Sequence, residues 1–86
     1  MPQVSRFFGI VIYMYFNDHH PAHFHAVYGE DEAVYVIDTL ATLRGSLPRR
    51  AHGMVIEWAS LHRQELKRNW DRAREMEPLE TIEPLD

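Results

Sequence analysis

The chain contains no cysteine. That excludes a disulfide framework and any thiolate metal site, and it suits a reducing compartment. Long apolar runs are also missing. The longest is Phe7–Phe16, and Gly9 interrupts it. A membrane-spanning helix needs about 20 apolar residues. The run lacks the charged leader and small-residue cleavage site of a signal peptide. The expected location is therefore cytoplasmic and soluble, with no membrane partner. There is no glycine-rich phosphate loop, no His-Glu-x-x-His and no G-x-S-x-G elbow. Ser5, Ser46 and Ser60 have no neighbours that suggest a nucleophile. Internal repeats, low-complexity tracts and interdomain linkers are absent as well.

Positive charge is in short supply: the net charge is −4, which argues against indiscriminate nucleic-acid binding. A helix-turn-helix needs two short helices, and only one long helix is readable. The distribution of charge is uneven. Eight of the nine basic residues lie between Arg44 and Arg74. Glu75, Glu77, Glu80, Glu83 and Asp86 make the tail acidic. Such a pattern is either a solvated helix face with a screened tail or a basic face for an anionic partner.

The 86 residues make one domain, which buries only roughly 60–65% of its unfolded surface. The hydrophobic set is 45% of the chain and aromatics 12%, enough for one core and too much for disorder. The continuous apolarity of Phe7–Phe16 reads as a strand buried on both faces. Asn17-Asp18-His19-His20-Pro21 breaks it with turn-forming residues. His23 to Tyr28 is a second strand. Alternation places Phe24, Ala26 and Tyr28 on one face and His23, His25 and Val27 on the other. Gly29–Glu32 is a hairpin turn, Ala33–Asp38 a third strand, and Ala41–Gly45 a shorter fourth candidate.

Pro48 suits a first helical turn, where its missing N–H would be unpaired anyway. The helical pattern runs to Glu75. At ~100° per residue, Ala51, Val55, Trp58, His62, Leu66, Asn69, Trp70 and Ala73 form one stripe, with Arg63, Lys67 and Arg74 opposite. The expected fold is α+β: a small antiparallel sheet of three to four strands (residues 7–45) packed against one long C-terminal amphipathic helix (48–75). An extended acidic tail (76–86) follows, with Ile82 and Leu85 able to tuck it against the body.

Four histidines fall within seven residues: His19, His20, His23 and His25. On a strand, His23 and His25 point to one face with Cβ atoms about 7 Å apart, close enough to share a metal ion. His19 or His20 could add a third ligand. Asp18 could be an oxygen ligand or could orient an imidazole. Nitrogen and oxygen ligation favours a divalent transition metal such as zinc over calcium. His62 falls on the core-facing stripe, with Glu65 and Asn69 on the same side of the helix. Polar groups there need partners. The helix could bring His62 and Glu65 opposite His23 and His25, giving three imidazoles and a carboxylate. The candidate metal ligands are thus His19, His23, His25 and His62. The candidate catalytic residues are His23, His25, His62 and Glu65. Against this stand histidines that merely bond within a turn, a strand face or a core. Arg49 and Arg50 oppose the helix dipole; they are either solvated or binders of an anion.

Ser5-Arg6-Phe7-Phe8-Gly9-Ile10 and the stretch from Met14 to Ala26 resemble the opening of a family of short bacterial proteins, the domain of unknown function numbered four-one-six-zero. The later blocks Gly45-Ser46-Leu47-Pro48-Arg49-Arg50, Glu57-Trp58-Ala59, His62–Leu66 and Asn69-Trp70 extend the resemblance over nearly the whole chain. Members often carry two prolines before the histidine-rich strand, whereas Ala22 follows Pro21 here. The resemblance implies no catalytic assignment. It implies a partner protein encoded nearby, in a two-gene, toxin–antitoxin-like pair. The expected function is a small protein-interaction or regulatory module of such a pair; the alternative, from the histidine residues, is a small histidine-dependent hydrolase or nuclease, with or without a metal. An exposed sheet edge would also allow a homodimer.

Overall fold

The apolar run Phe7–Phe16 turns out to hold a chain reversal. The computed structural model describes residues 2–86. In it, β1 (Gln3–Phe7) and β2 (Ile10–Tyr13) pair antiparallel across Phe8 and Gly9. Both turn residues have positive φ, +50° and +80°, as tight two-residue hairpins with right-handed strand twist require. Gly9 adopts this readily. Phe8 does so at a cost of roughly 1–2 kcal/mol, and because phenylalanine is no turn former the sequence pattern hides the reversal. β3 (His23–Tyr28), β4 (Asp31–Val36) and β5 (Thr42–Gly45) continue the meander. The sheet is five-stranded, in the order β1-β2-β3-β4-β5, so the expected three to four strands fall short.

Alternation along β3 holds. Ala26 lies opposite Ile12 and Ala33, and Phe24 opposite Tyr35. These side chains, with Ile10, are fully buried and belong to the main core. His23 and His25 alternate with them, His25 lying between Tyr13 and Val34.

The helical segment is two helices, α1 (Arg49–Leu61) and α2 (Arg63–Arg74), not one. The break is His62, at φ −124° and ψ 25°, whose N–H turns back to the Ala59 carbonyl. No glycine or proline marks it, and the apolar stripe runs through it, so a periodicity reading joins the two halves. The stripe holds except at the break: Ala51, Val55, Trp58, Leu66, Asn69, Trp70 and Ala73 are all buried, while His62 is only half-buried. Trp58 is fully buried, with its ring 5.3 Å from that of Phe7 and 6.0 Å from that of Phe24. Aromatic pairs of this kind add about 0.5–1.5 kcal/mol beyond the area they bury.

The acidic tail is tied down. Ile82 is buried, and its N–H donates to the Val4 carbonyl on β1. The Trp58 indole N–H donates to the Glu83 carbonyl at 2.7 Å. Buried Asn69 closes a two-way bridge with Glu80, donating through Nδ2 at 2.8 Å and accepting through Oδ1 at 2.9 Å. The tail thus touches the outer strand β1, while β5, exposed at every residue, forms the other edge of the sheet. No helix among the described residues is long and apolar enough to cross a membrane.

Candidate metal centre

The loop between β2 and β3 carries the polar residues to the start of β3. Its N-terminal end is fixed to α2 by the Asn17 N–H, which donates to the Ala73 carbonyl at 3.1 Å. His20-Pro21 is a cis peptide. The His20 ring packs on Trp70 and its Nε2 meets the Arg74 guanidinium. Trp70 also packs on His23, with ring centroids 5.2 Å apart. This framework sets Asp18 above two adjacent same-face imidazoles, those of His23 and His25.

The three side chains converge. Asp18 Oδ2 lies 2.9 Å from His23 Nε2 and 3.6 Å from His25 Nε2. One ligand atom from each of the three lies within 4.8 Å of the other two. His23 and His25 are buried, at 5% and 6% exposure, while Asp18 stays partly open to solvent. Tyr15 covers His25 edge-on at 4.5 Å.

Hydrogen bonding on the far side of each ring decides what the near side presents. His23 Nδ1 lies 2.7 Å from the Pro21 carbonyl oxygen, which can only accept. His25 Nδ1 lies 3.1 Å from Glu32 Oε2, an acceptor when ionised. Both rings therefore donate through Nδ1–H, and in the neutral imidazole each Nε2 carries a lone pair. Those lone pairs face the Asp18 carboxylate, itself an acceptor. His25 Nε2 is buried without a hydrogen-bond partner, an arrangement that costs free energy unless something fills it. Three converging lone-pair atoms need a cation between them, a proton or a metal ion. The Nδ1–H bonds to a carbonyl and a carboxylate are the outer contacts that metal-ligating histidines make.

Burial by itself would raise the Asp18 carboxyl pKa. The His19 N–H, 2.9 Å from Asp18 Oδ1, and, when the cation between the groups is a proton, the positive charge of His23 and the ring N–H bonds from His23 and His25 outweigh it and hold the carboxyl below its usual value. The Tyr15 hydroxyl is pushed up by burial first and by Glu32, Tyr13 and Asp18 after that.

The other sequence candidates lie apart from this group. His19 is exposed and contributes its backbone N–H to Asp18. His62 and Glu65 form a pair of their own at the helix break, Nδ1 to Oε1 at 2.6 Å, with the His62 ring 5.6 Å from that of Trp58. Neither joins the potential ligand group found among the described residues. The reason is in the alternation: Trp58 packs against Phe24, and Phe24 alternates with His23 and His25 on the strand. Arg49 and Arg50 are exposed in the first turn of α1, which has no side-chain cap and no acid. Arg50 lines a cavity of about 430 Å³ with Phe8, Tyr28, Met54 and Glu57, but none of the three converging residues does.

Two residues that bond buried polar groups, one in this network and one on the other sheet face, were not singled out from the sequence. Glu32 was read as part of a turn, yet β4 begins at Asp31, and its pairing of Tyr28 with Asp31 places Glu32 two positions from Val34, the partner of His25. A two-residue turn at Gly29-Glu30 would have given that register. His52 shares a hydrogen bond with the buried Tyr35 hydroxyl, 2.9 Å from Nδ1.

Comparison with known proteins agrees with the motif-level resemblance. The family described as Domain of unknown function (DUF4160) matches residues 9–71, and the chain belongs to it. That span contains Asp18, Glu32 and the histidine-rich strand. No curated protein and no solved structure matches the chain.

Proposed function

We propose that this chain is a small metal-dependent hydrolase or nuclease, with Asp18, His23 and His25 as the ligands of a divalent transition metal such as zinc. One observation carries the reading: two buried imidazoles, each with Nδ1–H engaged by an acceptor, turn their Nε2 atoms onto one carboxylate. Two nitrogens and one oxygen suit zinc or a similar ion and not calcium or magnesium. Three protein ligands leave a coordination position open, as catalytic zinc sites do. A metal ion held there supplies Lewis acidity and lowers the pKa of a coordinated water to about 7. The partial exposure of Asp18 gives solvent and substrate a way in.

The test is elemental analysis of tag-free protein purified without chelator, followed by hydrolysis of a chromogenic phosphodiester and a chromogenic ester. The reading expects near-stoichiometric metal and a slow hydrolysis that Asp18→Ala and His23→Ala abolish. Wild-type protein that neither carries nor takes up a transition metal would overturn it.

The second reading is a regulatory module of a toxin–antitoxin-like pair, bound to a small protein encoded nearby. It is favoured by β5, an exposed edge strand that none of the other described strands pairs on its outer side. Unpaired edges accept strands from partners. Co-purification with the adjacent gene product at micromolar concentration supports this reading; its absence counts against it.

A further inference from the structure

Resting on that metal reading, we infer that Glu32 is a positioning residue of the metal centre: its carboxylate fixes which nitrogen of His25 faces the ion. His25 could rotate or exchange its proton between ring nitrogens, and only one tautomer leaves Nε2 bare toward Asp18. Glu32 Oε2, 3.1 Å from Nδ1, selects that tautomer. His23 needs no such side chain, because the Pro21 carbonyl does the same work at 2.7 Å. The two rings are thus oriented by two different acceptors, one from the loop and one from β4.

The main chain of Glu32 is held close against β5. The Glu32 carbonyl accepts from the Ser46 N–H at 3.1 Å. Gly45 crosses so close to it that an added Cβ would lie 2.1 Å from the Glu32 oxygen, and Gly45 has φ +70°. Only glycine meets both conditions. Glu32 also has a rival partner. Arg44 lines the same shallow cleft as Glu32 on the β4–β5 surface, yet among the described residues no ion pair joins the two, and the carboxylate goes to His25. A half-exposed carboxylate that could pair with an exposed arginine instead holds a buried ring. A second-sphere carboxylate also makes the ligating nitrogen more basic, and loss of such a partner typically weakens metal binding about 10–100-fold.

The experiment is a zinc titration against a chromogenic chelator for wild type, Glu32→Ala, Glu32→Gln and His25→Ala, with thermal unfolding of each apo protein. The inference expects tight zinc binding by wild type and its loss in His25→Ala. Glu32→Ala should bind about 10–100-fold more weakly. Glu32→Gln should fall between, because its amide oxygen still accepts from Nδ1–H but carries no charge. If wild type binds zinc and Glu32→Ala binds it equally well, the inference is overturned while the metal site stands, even when Glu32→Ala lowers the unfolding temperature. If wild type binds no zinc, the metal reading itself fails and this inference with it.

Discussion

His23 and Asp18 meet head-on: Nε2 and Oδ2 are 2.9 Å apart while Nδ1 of the same ring donates to the Pro21 carbonyl. In the neutral state this sets two acceptors against each other. Asp18→Asn separates a structural from a metal-binding role. The amide N–H can donate to His23 Nε2, so the apo variant should be as stable as wild type or more so, by about 0.5–1.5 kcal/mol for the hydrogen bond gained. Its zinc affinity should drop by at least the roughly tenfold that loss of an outer partner alone costs. Urea unfolding and zinc titration on the same samples check this. A large loss of apo stability would mean that a proton already bridges the pair.

The Tyr35 hydroxyl predicts an alkaline transition. Burial pushes it above the usual tyrosine range. A folded-state pKa above the unfolded one gives stability that is whole below about pH 10 and is lost as pH rises through the folded value. Tyr35→Phe removes that dependence along with the hydrogen bond to His52. Below pH 10 the variant should be about 0.5–1.5 kcal/mol less stable, and the gap should narrow as pH climbs further. Unfolding curves from pH 7 to 11 would show it; a constant gap would refute it.

Asn69 predicts the fate of the tail. It is buried and bonds Glu80 in both directions. Asn69→Ala leaves the Glu80 N–H and C=O without those partners, at a cost of about 1–3 kcal/mol. The tail should then be cut faster by protease while the sheet stays folded. Unchanged cleavage would mean that Ile82 and the Trp58–Glu83 bond suffice.

How much of this was legible follows from which rules apply locally. Period-two alternation put His23 and His25 on one face, and the helical stripe named the buried residues of α1 and α2 apart from Ala59. Both are direct consequences of backbone geometry. The β1–β2 reversal was hidden because Phe8 takes a positive φ in a run with no turn former but Gly9. The helix break was hidden because His62 bends the chain without interrupting the stripe. Asp18 was readable as a neighbour of the histidines, as an oxygen ligand or as a group orienting an imidazole, from its nearness in sequence. Glu32 was not, because its role depends on a register that a two-residue turn sets. His62 and Glu65 were placed on the wrong side of the strand: a stripe says that a helix faces the sheet, not which sheet face it meets.

The most direct test is long-range proton–nitrogen NMR of the metal-free protein above pH 7, with the ring nitrogens of His23 and His25 assigned. The account predicts that both rings carry hydrogen on Nδ1, and that added zinc leaves both Nε2 atoms without hydrogen and shifts their signals together. A ring with no hydrogen on Nδ1, or Nε2 signals that ignore zinc, would contradict it.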